Sequence, residues 1–285
     1  MPLYLLCPNL SPKKGETINF MSHKTKKKSN INLAIAFMGL VVFLVVLSFM
    51  LKAFWVFKES KFDGSDKFNV AIYDKRGMGI ISFSPKEKSI SILKLDKSIN
   101  GNAFNAMQIL VNGELSIKEK EFNYSNISAS LFAGVFTDRE FRKNLTFFDI
   151  LRLLLYARTV SPNFIFERTL SKQLSDTEKF SVLTLTFRDP AILTEAKSIE
   201  VINATEVSGL GNRLANVVSY MGGNVVLVSS KENTKISKII YFDDTGYTVK
   251  KLSSYLVFPA EKGENSGLAD IIIIIGEDSL NKLKF

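Results

Sequence analysis

The chain has 285 residues, 46% of them hydrophobic, and a formal charge of +9 with one Cys and one His. The charge invites a nucleic-acid partner until it is partitioned: residues 1–58 hold eight Lys and one Glu, while 59–285 hold 29 basic and 27 acidic residues, so nucleic acid is excluded. Cys7 and His23 both lie near the start, which leaves the bulk of the chain without disulfides, Cys/His zinc sites, or Ser-His-Asp and Cys-His nucleophiles.

Residues 1–30 are polar, basic and without periodicity, so a disordered cytoplasmic tail is expected, starting at Met1 or at Met21. From Ser29 to Leu51 run 23 consecutive uncharged residues. A helix crosses a hydrocarbon core of roughly 30 Å with about 20 apolar residues. The run from Ile31 to Leu51 meets that length and exceeds the ~7–15-residue core of a cleaved signal peptide. A transmembrane helix over 31–57 is therefore expected as an uncleaved signal anchor, with Phe54, Trp55 and Phe57 in the interfacial belt. Lys24, Lys26, Lys27 and Lys28 place the N-terminus in the cytoplasm and the bulk of the chain outside, a single-pass arrangement in the cell membrane. Membrane lipid is the first partner this implies, the lysines meeting anionic head groups. The plainer alternative is a buried helix of a soluble protein. Residues 58–66 read as a stalk.

Strand-like runs follow at 68–73, 78–83 and 89–95, with a hairpin turn at Ser84–Lys88. Ser91 and Lys94 among apolar residues imply one partly wet face. Residues 101–143 give no clear period. Asn144 and Thr146 precede a helix over 147–157, and 181–187 (SVLTLTF) reads as another strand. The C-terminal part is clearer. Strands are expected at 199–203, 225–228 and 236–242. Leu210, Leu214, Val217, Val218 and Met221 share one helical face closed by Gly222 and Gly223. A second helix carries Val249, Leu252 and Leu256, opened by Asp243 and Asp244 as helix-start acids. Ile271–Ile275 read as a central strand buried on both faces. The fold class is mixed α/β (α+β): one N-terminal transmembrane helix, then two external mixed αβ domains over 67–195 and 199–285, the second βαββαβ.

Candidate sites are sparse. Ser208-Gly209-Leu210-Gly211 joins a strand to a helix, but Leu214 stands where a dinucleotide fingerprint needs a small residue, leaving a tight turn that needs glycine. Asn203 and Thr205 follow one strand, and Asp270 and Asp278 bracket the isoleucine strand, so these four are candidates for a polar ligand, with solvated turn acids as the plainer reading. Arg152 and Arg158 share a near face of that helix with Asp149 and are placed to meet an anionic ligand, with i, i+3 surface pairing of Asp149 and Arg152 as the plainer reading. Four N-x-S/T triplets (Asn123, Asn126, Asn144, Asn203) are given no function. No cofactor is expected.

The run Ile199-Glu-Val-Ile-Asn-Ala-Thr-Glu-Val-Ser-Gly-Leu-Gly211, then Arg213-Leu-Ala215, Gly223-Asn-Val225 and Ala269-Asp to Gly276-Glu-Asp278, resembles the LytR C-terminal domain across 199–280. In that family the domain accompanies LytR-CpsA-Psr proteins, membrane-anchored enzymes that transfer lipid-linked glycopolymers to the bacterial cell wall. Residues 67–195 resemble their catalytic domain in the opening strands. Gly77-Met78-Gly79 stands in place of a Ser-Asp-Thr motif, and Leu93-Lys94-Leu95-Asp96 in place of Pro-Arg-Asp. The resemblance thus implies a degenerate, non-catalytic domain, the whole binding wall glycopolymer or an envelope partner. The alternative it leaves open is a divergent phosphotransferase with Mg²⁺, using Asp74, Arg76 and Asp96.

Overall fold

The computed structural model describes residues 31–96, 109, 111–117, 121–137, 141–264 and 268–282; the tail expected over 1–30 lies outside them. Helix α1 (Ile31–Lys58) is, among the described residues, the one helix long and apolar enough to cross a membrane, and its side chains from Ala34 to Lys52 are exposed. The chain divides at Leu51, and everything from Lys52 to Phe285 is one compact unit.

The expected stalk is instead docked. Phe62 is buried with Phe68, Phe83 and Tyr156 around it, and the carboxylate of Asp149 accepts the backbone N–H groups of Lys61 (2.7 Å) and Phe62 (2.9 Å). An apolar side chain buried in the core ties the segment down, however polar its neighbours are.

Strands β1 (Phe68–Asp74), β2 (Gly77–Ser84) and β3 (Ser89–Leu95) form an antiparallel meander. β4 (Gly113–Ser116) and β5 (Ile165–Leu170) add parallel strands at its two edges. Helices α2 (Ile127–Thr137) and α3 (Phe147–Thr159) cover the face carrying Val70, Ile72, Ile81, Phe83, Ile90 and Ile92. Helix α4 (Asp176–Phe187) covers the other, with Leu183 and Phe187 against Ala71, Ile80 and Leu93. Of the partly wet face expected from Ser91 and Lys94 only Lys94 is partly exposed; Ser82, Ser84, Ser89 and Ser91 are all buried.

The strand expected at 181–187 is the end of α4. Ser175 and Glu178 cap each other reciprocally, which commits the next residues to a helix before their alternating pattern acts. Leu183, Thr186 and Phe187 then fall on its buried side at helical spacing. α5 (Pro190–Glu195) follows, with Asp189 at its N-cap.

The second sheet runs β7 (Asn224–Ser230), β6 (Ser198–Asn203), β10 (Ile271–Ile275), β8 (Lys238–Tyr241), β9 (Ala260–Lys262). The edge strand β9 extends the expected βαββαβ order. β10 is central, as expected, yet only Ile271, Ile273 and Ile275 are fully buried; Ile272 and Ile274 are half-buried. The alternation arises because α6 (Leu210–Tyr220) and α7 (Tyr247–Leu256) both supply the core cluster on one face of this sheet. A short α8 (Ser279–Lys282) follows β10. Gly222, at φ +94°, turns the chain out of α6, a conformation a Cβ disfavours.

The layers meet around Lys67. Its ammonium donates to Arg188 O (2.8 Å), its own carbonyl accepts from Lys251 (3.1 Å) and Tyr255 (3.0 Å), and Asp189 N donates to Met221 O (2.9 Å). Tyr220 of α6 packs into the same cluster as Leu183 and Phe187 of α4.

Candidate functional site

Most of the residues singled out from sequence are engaged within the fold. Asp74 closes the β1–β2 turn by accepting from Arg76 N (2.8 Å) and Gly77 N (3.2 Å), and its second oxygen takes Phe122 N (2.8 Å). The exposed Arg76 guanidinium pairs with Glu121. Asp96 lies just past β3, its N–H donating to Leu170 O (3.1 Å). Asp74 pairs with Gly77, and the β2–β3 register carried two residues on sets Gly77 opposite Asp96. The Cα atoms of Asp74 and Asp96 are thus about two strand spacings, roughly 10 Å, apart. Among the described residues no three His, Cys, Asp or Glu side chains gather as a metal would require.

In the second sheet, Asn203 Oδ1 accepts from Thr205 N (3.3 Å) and Thr205 Oγ1 (2.8 Å), while its amide donates to Val207 O (3.0 Å). Asp278 holds Ser237 through its N–H (2.8 Å) and hydroxyl (2.5 Å). Asp270 holds Ser198 in the same way (2.8 and 2.7 Å), and those two bonds keep its carboxyl below the usual range. Asn203, Thr205 and Asp278 sit at the C-terminal ends of β6 and β10, Asp270 at the opposite end. They are loop latches at two ends of one sheet. Asp243 pairs with Lys197 rather than opening α7. That N-terminus is capped from a distance by Glu195, whose carboxylate accepts Tyr247 N (2.5 Å) and Thr248 N (2.7 Å). Gly209 takes a φ of +77° ahead of α6, and a Cβ on Gly211 would press Val228 at 3.0 Å, which supports the tight-turn reading of Ser208–Gly211.

A cleft that no sequence motif marks lies between the layers. It measures about 390 Å³ and is lined by five lysines (61, 67, 86, 250, 251) against Asp63 and Asp66, with Tyr247, Tyr255 and Asn112. Four separate parts of the chain build it: the docked segment after α1, the β2–β3 hairpin, Asn112 just before β4, and α7. On α7, Tyr247, Lys251 and Tyr255 recur every four residues and so share one face. Lys251 is buried, its ammonium 3.3 Å from Asp66 Oδ2 and 5.0 Å from the centre of the Tyr255 ring. Lys86 sits 4.1 Å above the Tyr247 ring and 3.3 Å from Asp66 Oδ1. Tyr247 donates to Asp189 Oδ2 (2.7 Å), and Tyr255 to Asn112 Oδ1 (3.0 Å). Burial raises both phenols, so they stay neutral donors. Burial pushes Lys67 down to about 8, partly offset by Glu87 and Asp189.

Ammonium groups stacked on tyrosine rings and an excess of lysines over two aspartates give the cleft a cationic surface. The class is therefore a two-layered α/β unit behind a membrane-length helix, with a cationic cleft between its layers. Residues 197–278 match the family model described as LytR cell envelope-related transcriptional attenuator, so the second sheet and its helices are a LytR C-terminal domain. No curated protein matches the chain. Among solved structures, a fragment (52–321) of Lmo1026 from Listeria monocytogenes is 10% identical, covering 78% of this chain and 95% of its own at a TM-score of 0.18. Lin1025 from Listeria innocua is also 10% identical, covering 77% and 96% at a TM-score of 0.16. Overlays this loose carry no argument.

Proposed function

We propose that this is a single-pass protein of a bacterial cell membrane, N-terminus in the cytoplasm, whose extracytoplasmic unit holds an anionic wall glycopolymer in the lysine–tyrosine cleft without transferring it. The cleft is the observation that carries the reading. Five lysines and two tyrosine rings converge there, whereas Asp74 is already committed to three backbone donors. The LytR C-terminal domain, which supplies α7, supports an envelope setting. α1 supports the anchor by length and composition.

The test is retention of the detergent-solubilised full chain on isolated bacterial walls. Retention that vanishes once the anionic polymer is stripped from the walls supports the reading, and equal retention on stripped walls contradicts it. Turnover of a lipid-linked polymer with Mg²⁺, abolished by Asp96→Ala, would instead favour the phosphotransferase.

A further inference from the structure

Helices α2 and α3 lie side by side on one face of the first sheet, and their outward sides are apolar. Phe132 (53% exposed), Phe136 (69%), Phe147 (40%), Leu151 (37%) and Leu155 (51%) recur at four-residue spacing along the two helices, all pointing away from the buried side that packs on β1–β3. α2 contains no charged residue, and the Phe132 and Phe136 rings touch each other (4.8 Å between centres) in the open. Arg142 and Arg158 are exposed nearby, one just before α3 and one in its last turn.

What covers this face is indicated by its neighbour. Phe57, in the last turn of α1, meets Phe148 edge-on at 5.8 Å, and the Arg152 guanidinium stacks 4.4 Å above the Phe57 ring. Asp149 and Arg152 then grip the next residues: Ser60 Oγ and the Lys61 and Phe62 N–H groups donate to the carboxylate, and Arg152 donates to Phe62 O (2.7 Å). α3 is thus clamped to the residues that emerge from α1, with no free linker between. Wherever the belt of Phe54, Trp55 and Phe57 sits, Phe148 lies within one ring contact of it, and Phe147 and Leu151 are on the adjoining stripe of the same helix. A bilayer interface accepts such a surface, aromatic and aliphatic with a cationic rim.

We propose that the outward face of α2 and α3 rests on the leaflet from which α1 emerges, so that the external unit lies on the membrane rather than standing off it. The proposal rests on α1 spanning that bilayer. The experiment uses the full chain, with Cys7→Ser, in vesicles of phosphatidylglycerol and phosphatidylethanolamine. Single cysteines at Phe136→Cys, Leu155→Cys and, as an aqueous reference, Glu232→Cys carry a nitroxide. Expected is that labels at 136 and 155 collide preferentially with oxygen and are shielded from a water-soluble nickel chelate, while the label at 232 shows the opposite. Alkaline carbonate extraction of the same vesicles tests the anchor separately. A chain that survives extraction while all three labels behave alike overturns the docked face and leaves the anchor standing. A chain released by carbonate overturns the anchor and the docked face with it.

Discussion

Lys67 shows how a single residue records the junction between the layers. It is 8% exposed, and burial lowers its pKa from 10.5 to about 8, while Glu87 and Asp189 favour its charge and Arg188 and Arg168 oppose it. Between those two values the unfolded chain keeps a proton that the folded chain has released, so stability rises with pH through that window. The expected gain from pH 8 to 10 is roughly 2 kcal/mol, and Lys67→Met should abolish it. Denaturant unfolding of both proteins at pH 7.5, 8.5 and 9.5 checks this, and parallel pH profiles would refute it. Asn203, Thr205, Asp270 and Asp278 teach a different lesson. Their types and positions at strand ends were legible in sequence, but turns and strand ends recruit such residues as latches, and each one is satisfied by its own loop or neighbour.

At the scale of elements, Asp149 joins the segment leaving α1 to the start of α3. Thr146 and Asp149 form a capping box, and the same carboxylate accepts from Ser60, Lys61 and Phe62. Burial would raise its pKa, but the hydrogen bonds from Phe62, Thr146 and Ser60 outweigh that and hold it below the usual range. Its contribution is therefore full above the ordinary carboxylate pKa and lost as acid protonates it in the folded state. Asp149→Ala strands several buried donors and should cost about 3 kcal/mol, with Asp149→Asn costing less because one oxygen still accepts. Thermal melts of the full chain in micelles, followed by Trp55 fluorescence, measure both; a loss under half a kcal/mol for the alanine variant would contradict the clamp. The cap at Thr146 was readable from sequence. The docking of 60–62 was not, because its partner lies almost ninety positions away. The strand misread at 181–187 shows the opposite failure: the helix signal, Ser175 with Glu178, was local and stood just upstream of the alternation that masked it. β5 hid differently, its Glu167, Arg168 and Thr169 breaking the apolar run that marks the other strands.

At the scale of the whole molecule, the clamped segment after α1, the β2–β3 hairpin and α7 bring five lysines to one cleft. The C-terminal layer was legible because its amphipathic helices and isoleucine strand repeat at their structural periods. The cleft was hidden because residues 61–67, 86 and 247–255 meet only through tertiary packing, and a lysine on its own reads as solvated surface. The most direct test measures binding of short poly(glycerol phosphate) to the full chain at low salt, beside a neutral glycan of equal length. Exposed ammonium–phosphate pairs contribute up to about 1 kcal/mol each, so Lys86→Glu with Lys250→Glu should weaken binding by about tenfold or more. Tight, salt-sensitive binding of the phosphate polymer alone, lost in that double variant, is the expected result. Equal affinity for both polymers, or a double variant that binds as the parent does, would contradict it.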